Sequence, residues 1–106
     1  MQTSLVKKID HIIYHAESEL EELNLNNNFG KYLYNLVRYE TFTHLSRLLE
    51  EVNNVNIFLE RIDELIVNKS KLLKDDDYTF NNEKTKLILQ FYNEVKSSSR
   101  YLTNKE

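Results

Sequence analysis

The sequence predicts an all-α fold: an antiparallel helical bundle of four helical segments, forming one domain over residues 1–106 with no linker. Three observations carry this. There is no Pro and only one Gly, Gly30, so the residues that punctuate sheets and tight turns are nearly absent and long helices are favoured. Apolar residues recur at steps of three and four along most of the chain, the period of a helix face. The 106 residues, 41% hydrophobic and 29% charged, have ordinary globular composition and room for one core.

The first segment is the clearest. Leu5, Ile9, Ile12, Ala16, Leu20 and Leu23 share a face, widened by Val6 and Ile13. Thr3 or Ser4 can cap its start, and the run Asn24 to Asn28 should end it, because Asn tolerates the left-handed backbone of helix exits. Helical pattern resumes with Phe29, Tyr32, Leu33 and Leu36. From Leu45 a seam reads Leu45, Leu48, Val52, Val55, Leu59, Ile62, Ile66, Lys69 and Leu73, with the alternating steps of a coiled-coil heptad. Asn53, Asn54 and Asn56 look like a turn inside it, yet the phase passes through them without a slip. Two architectures follow: four segments with a turn at these Asn residues, or three helices with one long central helix over 29–73 and a dimer. Lys74 to Phe80, with Asp75, Asp76 and Asp77, is the next connector. The last helix should be capped by Asn81 or Asn82 and bury Ile88, Phe91, Val95 and Leu102. Phe29, Phe58 and Phe91 read as core residues by their spacing.

Composition excludes several function classes. The chain has no Cys, which removes disulfides, thiolate metal sites and a cysteine nucleophile. A single Gly rules out Gly-rich phosphate loops. No stretch approaches the ~20 apolar residues of a membrane span, and Met1 to Lys8 lacks the pattern of a signal peptide, so a cytoplasmic location is expected. The net charge of −3 argues against nucleic acid as a partner. It is unevenly spread. Residues 1–23 carry two lysines against five carboxylates, a net of −3, and residues 81–106 carry five cations against three carboxylates, a net of +2. Such ends suit packing of the first helix against the last, or head-to-tail association. Richness in Asn, Lys, Ile and Tyr follows AT-rich codons and hints at a phage or other mobile element.

The candidate motifs are incomplete. His11, His15 and Glu19 have the four-residue spacing that can hold a metal on one helix face, but Ile12 stands where a zincin needs Glu, and His11 points away from the core stripe. From Asp75, a calcium loop would need Gly and Glu where Phe80 and Lys86 stand. Glu40 and His44, four apart, suit a local hydrogen bond. A DNA-reading role would fall to the basic last helix and lacks supporting charge. No metal or cofactor is expected.

Arg38 and His44, separated by five residues, resemble the Arg-x4–6-His element of the HEPN ribonucleases, an all-helical superfamily. The resemblance implies that the two act together on an RNA phosphodiester, usually in a dimer. Helical geometry sets them about 120° apart, and without that chemistry Arg38 reads as a surface or capping donor and His44 as a half-buried core residue. The architecture is also similar to the immunity proteins of pediocin-like bacteriocins, cytoplasmic four-helix bundles of about this length. Here the likeness lies in a polar connector running into a last helix at Tyr78 to Val95.

Tyr39, Phe42 and Leu49 lie off the heptad seam. Phe42 and Leu49 are seven apart and share a face, so their helix is either buried from two sides or presents a partner surface. The expected function is non-enzymatic: a small cytoplasmic regulator or inhibitor that binds another protein, with a homodimer as one form and Tyr39, Phe42 and Leu49 as candidate interface residues.

Overall fold

The computed structural model describes residues 3–23, 29–74 and 79–105, with side chains for 4–23, 29–74 and 79–98. Four helices follow one another, α1 (Thr3–Glu22), α2 (Phe29–Val52), α3 (Val55–Ser70) and α4 (Phe80–Lys105). α1 buries Leu5, Ile9 and Ala16, as its stripe predicts. It stops at Glu22, one residue before the Leu23 N–H donates to the Glu19 carbonyl at 3.1 Å. The Asn24–Asn28 run expected to end it lies outside the described residues, as do Asp75–Asp77 and the side chain of Leu102.

The long central helix does not form. Asn53 has φ 47, a left-handed conformation that Asn adopts more readily than most residues, and its N–H still donates to the Leu49 carbonyl at 2.9 Å. Asn54 is extended (φ −156, ψ 123), and its Oδ1 accepts the Ile57 N–H at 3.0 Å, which caps the first turn of α3. The apolar seam is therefore two helices whose phases happen to match across a two-residue turn. On α2 the stripe that faces the core is also displaced from the predicted one. It runs Asn35, Arg38, Phe42, Leu45, Leu49 and Val52 in steps of three and four, buried throughout except for half-buried Arg38 and Val52.

The start of α4 differs as well. Thr79, not Asn81 or Asn82, is the cap: its Oγ1 accepts the Asn82 N–H at 3.3 Å and its carbonyl the Glu83 N–H at 3.0 Å. Asn82 is 5% exposed and reaches back across the connector. Its Oδ1 accepts the Lys74 N–H at 3.0 Å, and its Nδ2 donates to the Lys74 carbonyl at 3.1 Å. A buried amide that holds both backbone groups of one residue fixes where α3 releases the chain to α4.

One core receives all four helices: Leu5 and Ile9 from α1, Phe42, Leu45 and Leu49 from α2, Phe58 and Ile62 from α3, and Phe91, Tyr92 and Val95 from α4. Phe91 is central, edge-on to Tyr34 (ring centroids 5.3 Å, 66°) and to Phe42 (5.8 Å, 62°). Each fully buried aromatic or aliphatic side chain contributes roughly 1.5–3 kcal/mol. Phe29, expected in the core, is 56% exposed at the first turn of α2.

The helices pack as two hairpins, α1 on α2 and α3 on α4, joined through contacts of α2 with α3 and α4. The shortest dimension, 22 Å, is about two helix layers. Lys96 pairs with Asp63 between α4 and α3, and Lys84 with Glu40 between α4 and α2 at 3.8 Å. Both pairs are partly solvated, so each adds at most about 1 kcal/mol. Among the described residues, no helix is long and apolar enough to cross a membrane.

Candidate functional site: the groove between α1 and α4

α1 and α4 are the pair of touching helices that touch least, and among the described residues α1 does not reach α3. The packing of first helix on last that their opposite charges suggested is slight among the described residues. An open groove of about 610 Å³ lies beside it. Leu5, Ile9 and Ile12 of α1, Phe42 of α2 and Val95 of α4 give it an apolar floor and walls. Its rim is polar: Lys8 on the α1 side, and Gln90, Asn93, Glu94, Ser97 and Ser98 on the α4 side. Gln90 Nε2 donates to Glu94 Oε1 at 3.3 Å along the α4 rim. The volume lies within the range of binding clefts, and a long apolar trough between two helices has the form that accepts a third.

A polar contact joins α1 and α2 outside the lining of the groove. One turn beyond Ile12 on α1 stands His15, and one turn before Phe42 on α2 stands Arg38. Arg38 Nη1 donates to His15 Nδ1 at 3.4 Å, and His15 Nε2 lies 3.8 Å from Glu19 Oε1. Arg38 Nε is buried and has no hydrogen-bond partner. Arg38 is thus a half-buried cation in a core-stripe position, not the surface donor its sequence suggested.

A second cavity of about 420 Å³ lies where α2, α3 and α4 meet, lined among others by Thr41, His44, Lys69, Lys84, Thr85 and Tyr92. His44 is exposed there rather than half-buried in the core. Glu40 pairs with Lys84 instead of making the expected local bond to His44. Burial raises the Tyr92 hydroxyl above its usual pKa.

The structure separates most of the residues that the sequence singled out. Arg38 turns to α1 and His44 lines the second cavity, so the two do not share a cleft. His11 is exposed, and among the described residues no group of three His, Cys, Asp or Glu could hold a metal ion. Phe42 and Leu49 are 0% and 2% exposed and belong to the core, while Tyr39 is half-buried. They do not form an exposed patch. Phe42 and Leu49 belong to the core shared by the four helices, and Phe42 also lines the groove floor. The groove itself was not foreseen, because Leu5, Ile9 and Ile12 read as ordinary core.

Comparison of the chain with protein-family models, with curated proteins and with solved structures finds no match.

Proposed function

We propose that the protein is a non-enzymatic protein–protein interaction module that binds an amphipathic helix of another protein in the α1/α4 groove. The observation that supports this reading is the groove itself, an apolar trough of about 610 Å³ beside the slight contact that α1 and α4 make. A helix laid there would cover half-buried Ile12 and the edges of Ile9 and Val95, and meet the polar rim along its flanks. A small cytoplasmic regulator or inhibitor, encoded by a phage or other mobile element, is the role such a module fits. The likeness to bacteriocin immunity proteins rests on architecture alone. The HEPN reading needs Arg38 and His44 on one substrate, and within one chain they face different helices.

The test is a display selection of helical peptides with an apolar stripe and randomised flanks, run against the protein and counter-screened against Ser97→Trp. Ser97 is exposed on the rim, so the indole fills the trough without entering the core. Binders that lose at least tenfold in affinity for Ser97→Trp support the groove. Binders indifferent to it, or no binders, refute the reading.

A further inference from the structure

The second cavity, of about 420 Å³ where α2, α3 and α4 meet, is polar where the groove is apolar. Its lining has two lysines, Lys69 of α3 and Lys84 of α4, against one carboxylate, Glu40 of α2. Glu40 is taken up by Lys84 at 3.8 Å. Lys69 is half-buried, and among the described residues no Asp or Glu lies within ion-pair distance of it. Two hydroxyls complete the site. Tyr92 is 4% exposed and Thr41 6%. Among the described residues neither hydroxyl has a protein partner, and neither is sealed from the surface. Both residues line the cavity, so the cavity is what their hydroxyls reach. Burial favours the protonated Tyr92 phenol, which keeps it a donor. Leu72, an exposed leucine, and half-buried Ile88 give the same cavity an apolar side.

We infer that this cavity binds a small organic anion, whose carboxylate or phosphate oxygens accept from Lys69 and from the Thr41 and Tyr92 hydroxyls and whose carbon skeleton lies against Leu72 and Ile88. The groups left unused by the protein select this chemistry. They are a cation and two hydroxyls, all able to donate, whereas the one carboxylate is already paired. Oxygens that carry charge and only accept meet all three. Nearly buried hydroxyls gain most from a partner that they otherwise lack. The volume falls at the lower end of small-molecule clefts, which suits a ligand of metabolite size. Such a ligand would touch both hairpins, α2 from one and α3 and α4 from the other, and would stabilise the fold by mass action. No residue lines both this cavity and the α1/α4 groove, so the two sites stand or fall separately.

The test is an amide NMR titration of the full chain at fixed ionic strength. The probes are benzoate, phenyl phosphate and citrate, with benzyl alcohol, benzylamine and inorganic phosphate as neutral, cationic and skeleton-free controls. Saturable shifts confined to amides around Thr41, Lys69 and Tyr92, from at least one organic anion and from none of the controls at the same concentration, support the inference. Affinity for that anion should then fall about tenfold in Lys69→Gln, which removes a charged donor, and about fivefold in Tyr92→Phe, which keeps the ring and removes the hydroxyl. Lys69 lies outside the core, so Lys69→Gln leaves folding intact even if Tyr92→Phe does not; circular dichroism of both variants checks this. No saturable shift from any of the three anions would mean that the cavity holds water only, and would overturn the inference. Shifts spread over surface lysines, or unchanged affinity in Lys69→Gln, would overturn it too. Equal binding of benzylamine or benzyl alcohol would refute the preference for an anion, and equal binding of inorganic phosphate would refute the organic assignment.

Discussion

Phe42 is where the two readings of α2 part, so its truncation is the sharpest test of the fold. In Phe42→Ala the lost side chain is fully buried and packs edge-on against Phe91 at 5.8 Å. Phe→Ala in a sealed core costs about 3–5 kcal/mol, from lost transfer energy and the cavity left behind. The site is not sealed, because Phe42 also lines the α1/α4 groove. Solvent and neighbouring side chains can occupy part of the space, and the lower end, about 3 kcal/mol, is expected. A domain of this length has roughly 5–15 kcal/mol in all, so the variant stays folded in water but with its reserve much reduced. Urea unfolding followed by far-ultraviolet circular dichroism measures it. With a slope of about 1–2 kcal/mol per molar, the midpoint should fall by about 1.5–3 M. Tyr14→Ala is the control: that ring is 71% exposed and its loss should change stability by less than about 0.5 kcal/mol. If Phe42→Ala behaved like Tyr14→Ala, Phe42 would be a surface residue and the packing described here would be wrong.

Two other predictions concern stability. Asn54→Ala removes the acceptor for the Ile57 N–H and should cost about 1 kcal/mol, read as a melting-point drop of about 4 °C; an unchanged melting point would mean that the α2–α3 turn does not depend on this cap. Burial holds the Tyr92 hydroxyl above its ordinary value of 10.0. The neutral phenol is therefore favoured in the folded state, and its contribution is fully present below pH 10 and lost as pH rises through the folded value. Urea midpoints measured at about pH 9 and about pH 11 should fall less in Tyr92→Phe than in the unmodified protein; an equal fall would assign the alkaline loss to other groups.

How far the sequence was legible depended on how many neighbours each helix has. α1 leans mainly on α2, so its buried residues form one stripe, and Leu5, Ile9 and Ala16 could be read directly. α2 meets α1, α3 and α4. Burial on several sides blurs a 3.6-residue period, and the seam starting at Leu45 and Leu48 competed with the true one through Phe42, Leu45 and Leu49. A signal was present, since Asn35, Phe42 and Leu49 are seven apart and so are Arg38, Leu45 and Val52. Two polar residues at the head of that stripe concealed it. Asn35 is accommodated because its Nδ2 donates to the Lys31 carbonyl at 3.0 Å. The matched heptad phase across Asn53 and Asn54 could not be interpreted from pattern alone, because phase does not record a backbone turn. The groove was hidden for a related reason: hydrophobic spacing says that a residue seeks cover, not whether its own chain provides it.

Among the described residues α1 has its main interface with α2 and a small one with α4. Its attachment is therefore a local equilibrium, with an opening free energy set mainly by the α2 surface, whereas α2 and α4 are held from several directions. Backbone amides of α1 would exchange with solvent through such openings before the rest of the core does. A helix seated in the groove would give α1 a further neighbour, so occupancy and the order of α1 become thermodynamically linked. The segment that forms one wall of the groove would thus also report whether the groove is filled, through amide protection that rises in the same proportion as binding.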